Sequence, residues 1–190
     1  MFEQKNKEPK LSIELQDILN RSMGELKDAN MDDIYRYKYK IMNLLTSNQD
    51  LLWTLHNVTL QKDSDVLNGD AYRDVNIFSY LRLPNNKSEV KNYICFEVSD
   101  NAYGELNEKR ITFRTVSHED DCQTDWNISR QDLLALIIKN EMDWSSVFGM
   151  HIEKVVDEGR VTSDGYYYRE IIYRTTTPNN LRNKVSPKFK

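Results

Sequence analysis

The chain has 190 residues, a mass of 22.5 kDa, 39% hydrophobic and 29% charged residues, a mean hydropathy of −0.72 and a formal net charge of −4. That length fits one domain of about 100–200 residues. No apolar run approaches the ~18–20 residues that span a bilayer, and the charged first ten residues lack the apolar core of a secretory signal, so membrane and exported classes are set aside. Cys95 and Cys122 are too few for a four-cysteine zinc site. They are expected to be reduced thiols of a cytoplasmic product, with a single bridge between them left open.

The low apolar fraction implies extended arms, or surfaces that only a partner covers. Residues 1–30 read as an N-terminal helical arm, because Leu15, Ile18, Leu19, Met23 and Leu26 recur at helical spacing before Asn30. A stronger helix is predicted from Asp32 or Asp33, with Ile34, Tyr37, Ile41, Leu44 and Leu45 on one stripe. Ser47-Asn-Gln-Asp50 has the spacing of a capping box and predicts a short second helix over Leu51, Leu52, Trp53 and Leu55. From His56 to Asn92 periodicity fades among turn-forming groups. This stretch reads as a structured insertion, 56–92, anchored by apolar residues between Val75 and Leu83, Tyr80 and Phe78 among them.

The second half is clearer. Tyr93–Ser99 alternates, Asp100–Gly104 predicts a turn, and Arg110–Ser117 alternates again, giving a hairpin. Ser129-Arg-Gln-Asp132 predicts a helix start, followed by an apolar stripe of Leu133, Leu134, Ile137, Ile138 and Met142 up to Gly149. A second hairpin follows: a strand over Ile152–Val156, a turn at Ser163-Asp-Gly165, and an aromatic, β-branched strand over Tyr166–Thr175 that Pro178 ends. The fold class is therefore α+β: an antiparallel sheet of two hairpins flanked by helices in the order α-β-β-α-β-β, as a core domain over 31–178. A tail, 179–190, carries Arg182, Lys184, Lys188 and Lys190 with no acid, leaving twenty-two bases against thirty acids elsewhere.

Chemistry-bearing patterns are sparse. Six glycines leave no phosphate-cradling loop and no dinucleotide fingerprint, and Gly-x-Ser-x-Gly is absent. The densest polar run is Ser117-His-Glu-Asp-Asp-Cys-Gln-Thr-Asp125, whose spacing matches no recurrent metal site. Glu97, Asp100, His118, Glu119 and Asp121 could serve a magnesium-dependent nuclease, yet Glu97 is followed by Val-Ser and not by the x-Lys many such sites add. His56 and His151 read as isolated surface or packing histidines. Tyr35, Tyr37 and Tyr39 interleave with bases, as do Tyr166-Tyr-Tyr168 with Arg169. That pattern suits stacking on single-stranded nucleic acid, but suits subunit contact better.

The segments Met31-Asp-Asp-Ile-Tyr-Arg-Tyr-Lys-Tyr-Lys-Ile, Glu89-Val-Lys-Asn-Tyr-Ile-Cys-Phe-Glu-Val, Ile111-Thr-Phe-Arg-Thr-Val-Ser-His-Glu-Asp-Asp and Arg130-Gln-Asp-Leu-Leu resemble those of structural proteins in tailed phages of low-GC Gram-positive hosts. The layout is similar to the tail terminator family, small α+β proteins that form a hexameric ring at the head-proximal end of the tail. The arm and the 56–92 insertion exceed a minimal terminator, so a head-closure or stopper protein of the neck is the alternative. The resemblance implies a virion protein assembled in the host cytoplasm, without catalysis, cofactor, metal or membrane. Its partners would be copies of itself, the tail tube protein and the neck connector, with DNA passing through the ring but not bound by sequence. Expected contact residues are Tyr35, Tyr39, Glu119, Asp120, Asp121, Asp125, Tyr166, Tyr168, Arg182, Lys184, Lys188 and Lys190.

Overall fold

A computed structural model describes residues 34–62, 65–82, 91–103, 106–143, 152–162 and 165–178. The 1–30 arm, Gly149, His151 and the 179–190 tail lie outside the described residues. Helices α1 (Ile34–Ser47), α2 (Gln49–Thr54) and the single turn α3 (Val58–Gln61) come first, followed by a 3-10 turn over Gly69–Tyr72 and the short strand β1 (Ile77–Phe78). Strands β2 (Tyr93–Tyr103) and β3 (Leu106–His118) follow, then a 3-10 turn (Glu119–Asp121), α4 (Arg130–Asp143), and strands β4 (Glu153–Val161) and β5 (Tyr166–Pro178). The class is α+β, and the five strands form one mixed sheet in the order β1-β2-β3-β5-β4.

Both hairpins form, and antiparallel pairing of β3 with β5 joins them into one sheet, from Leu106↔Pro178 to His118↔Tyr166. The first hairpin is longer than its sequence predicts. Pairing continues through the expected turn to Tyr103↔Leu106, and Asp100 is held in the strand by Lys109, whose Nζ lies 3.0 Å from its carboxylate. β4 runs five residues past Val156. As an edge strand it buries no continuous face, so Asp157, Glu158 and Arg160 hide it from an alternation test. β1 pairs parallel to β2 through only Ile77↔Ile94 and Phe78↔Cys95, too short to leave a periodic signal.

Strand alternation splits the core between the two faces of the sheet. On one face Ile94, Phe96, Val98, Ile111, Phe113, Ile171 and Tyr173 pack against Tyr37, Ile41 and Leu45 of α1, Leu51 and Leu52 of α2, and Leu134, Ala135, Ile138 and Met142 of α4. The stripe on α4 is turned relative to expectation. Leu133 and Ile137 are only half-buried and Leu136 is exposed, while Ala135 and Gln131 face inward. On the other face Phe78, Tyr93, Cys95, Val116 and Tyr166 form a smaller cluster, with the Arg82 guanidinium 4.5 Å from the Phe78 ring centre. Burial pushes the Cys95 thiol and the Tyr93 phenol well up from their ordinary values. Both cysteines are free.

The segment 56–92 is tied to the helices at specific points. Gln49 brackets Leu67, donating to its carbonyl at 3.0 Å and accepting its amide at 2.8 Å. A Cβ on Gly69 would lie 1.9 Å from the Thr46 carbonyl oxygen, so only glycine permits this approach. Leu67, Tyr72, Ile77 and Phe78 are the anchors, whereas Val75 and Tyr80 are exposed. The cap of α2 also moves by one residue. Asn48, not Ser47, accepts the Leu51 amide at 2.9 Å, because Ser47 still belongs to α1 and returns its hydroxyl to the Leu44 carbonyl.

Candidate functional site

The densest polar junction lies where α2 ends, β2 begins and β3 hands over to α4. The 3-10 turn after β3 starts with His118 as its cap, its Nδ1 accepting the Asp120 amide at 3.2 Å. That turn places Asp121 between three partners distant in sequence. His56 Nδ1–H lies 2.9 Å from both carboxylate oxygens, Asn92 Nδ2 donates at 2.6 Å, and Arg130 Nη2 donates at 2.9 Å. Arg130 also donates to the carbonyls of Asp121 and Thr54, at 2.7 and 3.1 Å. Its side chain is 12% exposed and that of Asp121 19%. Amides extend the network inward: Asn76 donates to the Asn92 carbonyl at 2.7 Å and Asn57 to Asn76 Oδ1 at 2.6 Å. His56 is therefore not isolated. It adopts a left-handed backbone (φ 51°) to reach Asp121.

Beside this hub a groove of about 590 Å³ opens between the end of α2 and the loop 122–129, lined by Trp53, His56, Gln123, Asp125, Trp126 and Arg130 among others. The loop is held at its base, where the Arg130 amide donates to the Cys122 carbonyl at 2.6 Å and the Thr124 hydroxyl donates to the Ile128 carbonyl. Asn127 takes φ 57° at its tip. The two rings are the notable surface of the groove, Trp53 being 43% and Trp126 73% exposed. Sequence reasoning placed Trp53 on the short helix without singling it out and passed over Trp126. The available signal was the polar run Asp125-Trp-Asn127, which gives that ring no periodic apolar neighbour.

The residues expected at contacts are distributed unevenly. Glu119, Asp120 and Asp125 are exposed, Asp125 in the groove and Glu119 beside Gly165 at the turn before β5, whereas Asp121 faces inward as the hub. Tyr166 is buried, with its ring edge-to-face on His118 at 4.9 Å, and so is not presented to a partner in this conformation. Tyr168 is half-buried against Arg114, Tyr39 is half-buried and Tyr35 is exposed. Arg182, Lys184, Lys188 and Lys190 lie outside the described residues. Three of the four carboxylates weighed for magnesium are separated, each with its own cation: Glu97 with Lys38 at 2.6 Å, Asp100 with Lys109, and Asp121 with Arg130; the fourth, Glu119, is exposed. Among the described residues no three His, Cys, Asp or Glu side chains converge as around a metal ion, and no helix is long and apolar enough to cross a membrane.

The family model named YomW matches residues 38–175, more than half of the chain. The chain belongs to the YomW family. That family is phage-derived, of the Bacillus phage SPBc2-like kind, and the protein is phage-associated. No curated protein matches the chain. The YomW match contains the whole sheet up to Thr175, the Asp121 hub and both tryptophans of the groove, whereas the basic tail lies beyond it.

Proposed function

We propose that the protein is a structural component of the phage tail or neck. Copies of it would close into a ring, hexameric as in the tail terminator family, that ends the tail tube and joins it to the head connector. The observation that carries this reading is the outer edge of β4. Nine residues, Glu153–Val161, form the last strand of the sheet with mostly exposed side chains, and no strand among the described residues pairs with its far side. A long open edge is a template for another chain unless it is blunted. Here Glu158 and Arg160 pair with each other along the strand at 2.9 Å, and a register shift between Lys154 and Val156 kinks it. These features disfavour indiscriminate pairing and leave a shaped, polar edge for a specific neighbour.

A head-to-tail contact of this kind closes into a ring only if the rotation per subunit fits. The same logic fits the alternative seat in the neck, as a head-closure protein. The reading requires no bond-making chemistry, and the polar groups at the junction are engaged with one another in a way that fixes loops. It is tested on particles made without this protein. Tails of irregular length, or tails unattached to heads, are expected in electron micrographs; normal, head-joined tails would sink the reading.

A further inference from the structure

The groove beside Asp121 presents a chemistry that selects its occupant. Trp53 and Trp126 expose broad apolar rings on backbone that is hydrogen-bonded in place, and aromatic rings on rigid supports are what interfaces use as anchors. The exposed charge beside the Trp126 ring is a carboxylate, Asp125. Of the charged groups that line the groove, Asp125 is exposed, whereas the Arg130 donors are directed to Asp121 and to backbone carbonyls. Asp50 is exposed one helical turn before Trp53, and Lys62 is exposed beside Gln61, which also lines the groove. Such a site favours a cationic segment with apolar groups, whose lysine or arginine heads can sit over indole faces.

The chain contains such a segment. Arg182-Asn-Lys-Val-Ser-Pro-Lys-Phe-Lys190 has four cations, no acid, and Val185 and Phe189 between them. The sheet decides whose segment it is. β5 has its Tyr166 end beside His118, at the groove, and its Pro178 end beside Leu106, at the opposite end of the sheet. Those twelve steps along a strand span about 40 Å. From Pro178 a fully extended chain gains at most ~14 Å by Arg182 and about 40 Å by Lys190. A copy's own basic segment therefore cannot lie along its own groove. We propose that residues 182–190 of one copy dock in the Trp53–Trp126 groove of the next, a directional contact that links copies head to tail. The inference rests on the assembly reading above and adds to its β4 edge a second contact between copies.

Two full-length variants test it. One replaces Arg182, Lys184, Lys188 and Lys190 by Ser; the other combines Asp125→Lys with Trp126→Ala. Both change exposed positions, and circular dichroism checks that each still folds. A synthetic peptide of residues 179–190 should bind the tail-substituted chain, at least tenfold more weakly in 0.5 M than in 0.05 M salt. It should bind the groove variant at least tenfold more weakly still. In sedimentation velocity each variant alone should need at least tenfold higher concentration to assemble, and an equimolar mixture should associate at lower concentration than either variant alone, through the single intact tail and groove. Equal peptide binding to the groove variant, or equal binding of a peptide with serines for its four bases, overturns the docking. Unimpaired assembly of both variants beside an assembling wild type also overturns it and leaves the ring reading intact. A wild-type chain that stays monomeric at every concentration overturns the ring reading, and the contact between copies with it.

Discussion

Two carboxylates, Asp121 and Asp157, each gather hydrogen-bonding partners from separate elements of the fold, yet they do different work. Asp157 on β4 takes Lys139 of α4 at 3.1 Å and Arg169 of β5, and Arg169 reaches on to Asp132 at 2.9 Å. All of these partners stand on regular helix or strand, so the network clamps α4 onto the edge of the sheet. Burial pushes the Asp157 carboxyl up, but the hydrogen bonds and charges of Arg169 and Lys139 outweigh it and hold the group at about 2. Asp121 instead binds a histidine with a left-handed backbone, an asparagine 2% exposed, and an arginine whose remaining donors fix loop carbonyls. One hub holds a finished layer together. The other shapes irregular backbone beside a groove, which is where binding surfaces are built on a rigid scaffold.

The sharpest way to break that contrast is to remove the second hub. Asp121→Ala takes the carboxylate from Arg130, Asn92 and His56 together. Arg130 keeps the Asp121 and Thr54 carbonyls and Asn92 the Leu55 carbonyl, but a guanidinium only 12% exposed loses its counter-ion, and such a loss costs about 2–3 kcal/mol. Urea unfolding should show it as a lower midpoint with an unchanged slope. Asp121→Asn keeps one acceptor oxygen and should lose about half as much. If Asp121→Ala were neutral, the junction would not be what holds the loop.

Asp157 gives the next largest effect, and its sign follows from the direction of the shift. A carboxyl whose folded value lies near 2, against an ordinary 3.8, contributes stability that is fully present above about pH 4 and is lost as pH falls through 2. For a side chain one-fifth exposed, the contribution is about 1–2 kcal/mol after allowance for solvent screening. Asp157→Asn should lower stability at pH 7 by that amount and flatten the acid limb between pH 4 and pH 2. An acid limb identical to wild type would show that the clamp is not ionic.

The two hubs also differ in how far the sequence discloses them. The long hairpin strands and α1 were legible because their core faces repeat at two and 3.6 residues, as in Ile94-x-Phe96-x-Val98 and Tyr37, Ile41 and Leu45. β4 was legible only in part, since an edge strand that carries the Asp157 clamp has polar residues where alternation would be sought. The acid run around Asp121 could be singled out by density alone. Its role could not, because His56 lies sixty-five residues away and contributes through a backbone conformation that side-chain patterns do not report. Asn92 and Arg130 likewise join it only through tertiary packing. For Tyr166, a run of aromatics beside an arginine reads equally well as interface or core; the β1 segment over that face of the sheet is what settles it as core.

The smallest expected effect separates the groove from the hub beneath it. Trp126 is 73% exposed at the tip of a loop whose hydrogen bonds run through Thr124, Cys122 and Arg130, none of them made by the indole. Trp126→Ala should therefore change unfolding stability by no more than about 0.5 kcal/mol, the range of surface substitutions away from packed or hydrogen-bonded features. Asp121→Ala, a few residues earlier in the chain, should cost several times that. A large loss in thermal or urea unfolding for Trp126→Ala would mean that the ring packs on its own molecule. A small loss would leave the exposed indole without a folding role and, with Trp53 across the groove, available as an apolar anchor for another molecule.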